Sequence, residues 1–347
     1  MPGPDARREP PPLLDALERP LQDLRISVTD HCNFRCVYCM PKSLFGTRHR
    51  FLAPERLLSF PQIVRLARLF AQLGVRKIRL TGGEPLLRPN LEELVAGLAD
   101  IPGIRDIAMT TNGSALTAAK AAALKTAGLS RVTVSLDSLR DETFQAMNDV
   151  GFPLARVLAA IDHAQASGLP VKLNSVVRRG LNDEDILPLA EHFRGTGHVL
   201  RFIEYMDVGN LNGWRPEDVV PASEIVSRID KRWPLEPLGP TRYGEVASRY
   251  RYRDGQGEIG VISSVSHPFC RSCTRARLSP EGRLYTCLFA TSGADLRPLL
   301  ESDAADGELL DLIGTVWQRR EDRYSELRSL LRARQGGEKV EMFHIGG

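Results

Sequence analysis

The chain has 347 residues, 42% of them hydrophobic and 26% charged, with a formal net charge of +3. That length suits one large α/β barrel with an appendage, or two domains. The small net charge gives no ground for a nucleic-acid partner, and no apolar run reaches the roughly eighteen residues of a membrane helix, so no membrane partner is expected either.

The opening MPGPDARREPPPLL lacks a signal peptide's apolar core, so residues 1–20 read as a disordered leader and the location as cytoplasmic. From residue 21, β-rich runs alternate with helical patterns. Strands are predicted at 24–28 (LRISV), 77–81 (KIRLT), 107–111 (IAMTT), 132–136 (VTVSL), 171–177 (VKLNSVV) and 200–206 (LRFIEYM). FPQIVRLARLFAQLG, LEELVAGLAD, LTAAKAAALKTAG and EDILPLAEHFRG supply helices between them. Six such βα units imply a parallel sheet with right-handed crossovers. Eight would close a full barrel, so the expected fold is α/β, a partial (βα)6 TIM-like barrel over 21–215 with one open side.

After about residue 215 the rhythm changes. A helix near 222–230, strand-like EVASRYRYRD and GEIGVISS, a hairpin in RARLSPEGRLYTCLF and helices from about 307 follow. They predict a smaller C-terminal domain over 216–340 that covers the opening, then a tail at 341–347.

Parity within the strands points to a ligand. Leu24, Ile26 and Val28 alternate with Arg25, Ser27 and Thr29; Ile78 and Leu80 alternate with Lys77, Arg79 and Thr81. Val132, Val134 and Leu136 alternate with Thr133, Ser135 and Asp137, and Val171 and Leu173 with Lys172 and Asn174. The apolar set can pack on helices, which leaves a polar inner face. Unpaired buried cations are costly, so an inner face with Arg25, Lys77, Arg79 and Lys172 predicts a bound anion, unless these charges sit at a solvated rim.

All six cysteines fall in two compact triplets, Cys32-x3-Cys36-x2-Cys39 and Cys270-x2-Cys273-x13-Cys287. Scattered apolar thiols would not group in this way, so both triplets read as metal ligands. The first follows the first strand, where βα loops build a barrel's active site. Three thiolates on a four-iron cubane leave one iron open to a small molecule. The competing reading is zinc, completed at the first site by His31. After Cys273 come Arg275 and Arg277, on one side of an extended segment and suited to phosphate oxygens.

The first spacing, with Tyr38 just before its last cysteine, resembles the radical S-adenosylmethionine superfamily. Thr81-Gly82-Gly83-Glu84-Pro85, at the end of the second strand, is similar to that superfamily's GGE motif. DHCNFRCVYCMP, RLTGGEPLLR, TTNG, VSLDSL, VKLNSVV, FIEYMDVG, CRSCTRARL and the final Gly346-Gly347 together resemble the GTP 3′,8-cyclase family, from about residue 21 to the end.

The resemblance implies two [4Fe–4S] clusters, one on Cys32, Cys36 and Cys39 that binds S-adenosylmethionine, and one on Cys270, Cys273 and Cys287 that holds the guanine of GTP. It assigns Tyr38, Gly83, Ser135 and Met206 to S-adenosylmethionine. Arg25, Lys77, Arg79, Thr111, Lys172, Thr274, Arg275 and Arg277 are assigned to GTP, and Gly346 and Gly347 to a tail needed for the initial radical step. The implied reaction removes hydrogen from ribose C3′ by a 5′-deoxyadenosyl radical, then joins C3′ to C8 of the base in molybdenum cofactor biosynthesis. The sequence has no G-x4-GK[ST] loop, so distributed cations would replace the P-loop.

A reductant such as flavodoxin or ferredoxin, the next pathway enzyme (cyclic pyranopterin monophosphate synthase) and a monomeric or homodimeric state complete the expectation. Two readings compete: a radical peptide-maturing enzyme, which usually carries more C-terminal cysteines, and a non-catalytic iron–sulfur electron-transfer module, which suits fully ligated clusters better.

Overall fold

The computed structural model describes residues 12–46, 49–302, 304–334 and 338–347. The six expected strands are present as β1 (Asp23–Ser27), β2 (Lys77–Thr81), β3 (Asp106–Thr111), β4 (Arg131–Ser135), β5 (Val171–Val177) and β6 (Val199–Glu204). Between them run α1 (Phe60–Gln72), α2 (Leu91–Ala99), α3 (Ala118–Thr126), α4 (Asp141–Asn148), α5 (Leu154–Ala166) and α6 (Ile186–Phe193). Helix α1 starts at a sequence-encoded signal. The Ser59 side chain accepts from the Gln62 backbone while Gln62 reaches back to Ser59, a capping box with Pro61 in the first turn.

Strand parity decides which face is core. Leu24, Ile26, Val28, Ile78, Leu80, Val132, Val134 and Leu173 are all buried in one cluster with Ile63, Leu66 and Phe70 of α1 and Leu94 and Leu98 of α2. Burying a Leu or Ile side chain of this kind stabilises the fold by about 1.5–3 kcal/mol. The alternate residues are left facing inward.

The later segments are α7 (Ala222–Arg232), β7 (Leu235–Leu238), β8 (Ser248–Tyr252), β9 (Glu258–Ile262), β10 (Arg275–Leu278), β11 (Arg283–Tyr285) and β12 (Ala294–Asp295). Helices α8 (Arg297–Glu301), α9 (Asp306–Gln318), α10 (Tyr324–Arg334) and α11 (Met342–Ile345) follow. These strands do more than cover an opening. The order is β12-β11-β10-β1-β2-β3-β4-β5-β6-β9-β8-β7, a single twelve-stranded sheet. Strand β10 pairs parallel to β1 and β9 parallel to β6, so the C-terminal part satisfies both edges of the six-stranded core that would otherwise offer unpaired backbone.

The leader expected over 1–20 needs correction at its C-terminal part; residues 1–11 lie outside the described residues. The Leu13 N–H donates to the Leu73 carbonyl at 3.0 Å, and Leu14 bridges Pro20. Arg19 is fully buried, pairs with Asp15 at 2.6 Å and donates to the Cys270 and Asp322 carbonyls at 2.9 and 2.7 Å. A buried guanidinium with these partners fixes the segment in place. Composition missed it because Arg19 reads as a solvated charge. Among the described residues no helix is long and apolar enough to cross a membrane.

Candidate active site

One cavity of about 700 Å³ runs along the inner face of the sheet. All six cysteines line it, together with Arg25, Lys77, Arg79, Lys172, Arg275 and Arg277. Topology places the two cysteine groups at opposite ends. Cys32 follows the C-terminal end of β1, whereas Cys273 precedes the N-terminal end of β10, which runs parallel to β1 with Asp23 opposite Arg275. A five-residue strand spans roughly 16 Å, so one strand length separates the groups. The thirteen residues between Cys273 and Cys287 run out along β10 and back along antiparallel β11, returning Cys287 to the level of Cys273. That hairpin is the reason for the long gap.

Backbone contacts fasten the first cysteine loop to the GGE turn. The Gly83 N–H donates to the Thr29 carbonyl at 2.7 Å and the Glu84 N–H to the His31 carbonyl at 2.8 Å. A Cβ on Gly83 would collide with the His31 carbonyl, so only glycine permits this approach. Glu84 is buried and accepts from the Thr111 hydroxyl at 2.6 Å, the Asn112 N–H at 2.7 Å and the Leu86 N–H at 3.1 Å. Burial nonetheless raises its carboxyl to about 7, against the pull of those donors. The Tyr38 hydroxyl donates to Asp137 at 2.9 Å, and burial lifts Asp137 to about 6.

Tyr38, Gly83, Ser135, Met206 and Thr111 all line the cavity. Thr274 does not. It is fully buried, and its hydroxyl donates to Asp23 at 2.5 Å, so its expected contact with the ligand is replaced by support of Asp23. Gly347 reaches the cavity wall, and the Gly346 carbonyl accepts from Arg277.

The cations form rows across the sheet. Arg277, Arg25 and Arg79 share one register position on β10, β1 and β2. Some are paired: Asp23 lies 3.5 Å from Lys77 and 3.2 Å from Arg242. Arg25, Arg79, Lys172 and Arg201 have no carboxylate partner in the described residues, and the Arg201 Nε and the side-chain oxygen of Asn174 beside it are buried without hydrogen bonds. Burial, then Asp23 in opposition and Arg79 and Arg242 in support, bring Lys77 down to about 7. Burial and Arg201 bring Lys172 to about 8. Burial and the neighbouring Arg277 and Arg79 push Arg25 well below its ordinary value. A wall in which like charges depress one another is built for an anion.

Arg131, Arg201 and Arg242 also line this wall. Parity would have found two of them, since Arg131 shares the phase of Thr133 and Ser135, and Arg201 alternates with Leu200 and Phe202. Arg242 lies in an irregular loop and gives no sequence signal.

The thiols suit iron–sulfur clusters. All six thiols are free and line the cavity, and thiolates are the donors that hold such clusters. Burial and then Glu84 raise Cys32 to about 12, and burial followed by the neighbouring Cys32 raises Cys36 and Cys39. Cys273 differs: burial opposes ionisation, but Arg275 and Arg320 outweigh it and lower the thiol to about 6.

A parallel partial barrel with a three-cysteine loop after β1 and a glycine turn after β2 is the architecture of a radical S-adenosylmethionine enzyme. Residues 26–193 match the Radical SAM superfamily and residues 198–326 match Molybdenum Cofactor Synthesis C. The chain is 54% identical to the GTP 3′,8-cyclase of Acidothermus cellulolyticus, over 97% of this chain and 99% of that one. It is 52% identical to the GTP 3′,8-cyclase of Xanthomonas campestris pv. campestris, over 97% and 98%. The chain belongs to the GTP 3′,8-cyclase family. Its fold also resembles Streptococcus suis SuiB bound to S-adenosylmethionine, with a TM-score of 0.61 at 14% identity over 90% of this chain and 68% of that one. Superfamily membership implies a [4Fe–4S] cluster and S-adenosylmethionine.

Proposed function

We propose that this chain converts GTP into 3′,8-cyclo-7,8-dihydro-GTP, joining ribose C3′ to guanine C8 in molybdenum cofactor biosynthesis. One observation carries the reading: both cysteine groups and the cationic wall open onto the same cavity, one group at each end. The names of the relatives and the match of the C-terminal part support it.

Cys32, Cys36 and Cys39 would hold one [4Fe–4S] cluster and Cys270, Cys273 and Cys287 a second. When bound, the first supplies the electron that cleaves S-adenosylmethionine, and the second supplies an open iron for the guanine. The chain's own residues then bind and orient. Tyr38, Gly83, Ser135 and Met206 surround S-adenosylmethionine beside the first cysteine loop. Arg25, Lys77, Arg79, Lys172, Arg275 and Arg277 hold the triphosphate, and Thr111, fixed by Glu84, completes the wall. Fixing the nucleotide at its base and its phosphates orients C3′ toward C8, which removes much of the entropic barrier to closure. Gly346 and Gly347 cover the cavity near Thr81 and Arg277.

Loss of one hydrogen atom from C3′, followed by gain of one electron and one proton, leaves a product isomeric with GTP. The electrons come from a reductant of the flavodoxin or ferredoxin type, and the product goes to cyclic pyranopterin monophosphate synthase. The protein acts in the cytoplasm as a monomer or homodimer, with residues 21–215 as the barrel and 216–340 as the part that completes it.

The test is anaerobic reconstitution, then incubation with dithionite, S-adenosylmethionine and either GTP or ATP, read by mass spectrometry. 5′-Deoxyadenosine together with a GTP-dependent isomer is the expected result. Deoxyadenosine formed equally with either nucleotide would move the substrate elsewhere.

A further inference from the structure

Besides Arg277 and the Cys32 and Cys39 thiols, residues 338–347 are held by side chains that have no ligand-binding role above. Lys339 Nζ lies 3.1 Å from the Asp207 carboxylate, next to Met206, and Asp207 also accepts from Tyr324 at 2.5 Å and Arg328 at 2.8 Å. Glu341 accepts from the Asn210 N–H at 2.9 Å. Phe343 is buried against Met40 and Phe45, with Cys32 and Cys39 packed beside it. Its ring meets Phe45 edge-on at 5.1 Å and His49 at 6.0 Å, and its backbone N–H points at the Cys39 thiol. The next residue, His344, places Nε2 2.8 Å from the Glu281 carboxylate in the turn between β10 and β11.

Consecutive residues are thus gripped by two separate parts of the chain, and Gly346 follows after one more residue, the buried Ile345. Its φ of 76° and the contact that a Cβ would make with Thr81 leave room for glycine alone. A chain end without such contacts frays.

We propose that Phe343 and His344 are positioning residues, Phe343 on the loop that follows the first cysteines and His344 on the β10–β11 turn, which together hold Gly346 and Gly347 in the cavity and make the order of 338–347 depend on the loop that carries Phe45. The role of the two glycines rests on the cyclase reading; the anchoring does not.

The experiment uses the full chain with its clusters reconstituted. Hydrogen–deuterium exchange is followed in peptides covering 338–347, the Phe45 loop and the barrel strands, beside GTP affinity and cyclisation rate. Phe343→Ala should speed exchange of 338–347 by at least about tenfold while the strands stay protected. GTP affinity should stay within about twofold while kcat falls roughly 100-fold, as expected for a misplaced group. Phe343→Leu should recover most of both losses. Phe45→Ala should loosen 338–347 as Phe343→Ala does, and the double variant should add little to either.

Glu281→Ala tests the other grip and serves alone if Phe343→Ala loses strand protection. Wild-type exchange in 338–347, or wild-type kcat, in both Phe343→Ala and Glu281→Ala would overturn the proposal. A protected segment in a wild-type protein that forms no cyclised product would instead overturn the cyclase reading and leave the anchoring intact.

Discussion

Arg25 on β1 and Arg277 on β10 occupy the same register position of adjacent parallel strands, and Arg79 on β2 extends the row. Strands stand about 4.8 Å apart. Like charges near that separation repel by about 3 kcal/mol at an effective dielectric constant of about 20. The fold accepts this cost along the cavity wall, where a polyanion would reverse its sign.

A ligand carrying three linked phosphates should therefore stabilise the protein without any base. Inorganic tripolyphosphate is expected to raise Tm by several degrees, and less so at high salt. Arg25→Gln should make the ligand-free protein more stable by about 1–3 kcal/mol and weaken GTP binding roughly 10- to 100-fold. Thermal melts with and without ligand check both signs, and a ligand-free Arg25→Gln protein less stable than wild type would count against the repulsion.

The lysines add a pH dependence. Burial lowers Lys77 to about 7 and Lys172 to about 8, whereas an unfolded lysine titrates near about 10.4. Between about 7 and 10 the unfolded chain binds more protons, so ligand-free stability rises with pH across that window. A bound triphosphate favours the charged lysines, so its binding takes up protons and its affinity falls as pH rises above about 7. Calorimetry near pH 8 in buffers of different ionisation enthalpy measures the uptake; release of protons would reverse the assignment.

Gly83→Ala should separate the GGE turn from the first cysteine loop, because the added methyl group meets the His31 carbonyl. S-Adenosylmethionine binding should drop by at least about tenfold, with GTP binding nearly unchanged. Equilibrium binding of each ligand to the reconstituted variant decides it, and equal losses for both would point to general unfolding.

How much of this was legible depends on the kind of signal. Strand parity put Arg25, Lys77, Arg79 and Lys172 on the inner face because period-two alternation is local. The same rule reaches Arg131 and Arg201 once it is applied to their strands. The joining of β10 to β1 and β9 to β6 was not legible, since pairing partners distant in sequence leave no local periodicity. Thr274 came only from the resemblance; alternation at the start of β10 sends it toward Asp23 while Cys273 and Arg275 face the cavity. Arg19 was lost in a leader-like composition, although its partners Asp15, Cys270 and Asp322 hold it in place.

The same environment separates the thiols chemically. Burial holds Cys32 and Cys287 near 12, while Arg275 and Arg320 overcome burial at Cys273 and bring it to about 6. At neutral pH, before any cluster is loaded, Cys273 should therefore be largely ionised, and the thiolate is the nucleophile. Brief anaerobic treatment with a small alkylating reagent, followed by peptide mass spectrometry, should label Cys273 ahead of Cys32 and Cys287. Arg275→Ala removes one of these two cations, whose Nη2 lies 3.2 Å from the sulfur, and should slow that labelling by about tenfold. Uniform labelling of the three cysteines in wild type would show that access rather than charge governs the site. Preference for Cys273 that disappears in Arg275→Ala would mean that the guanidinium prepares this sulfur to accept iron.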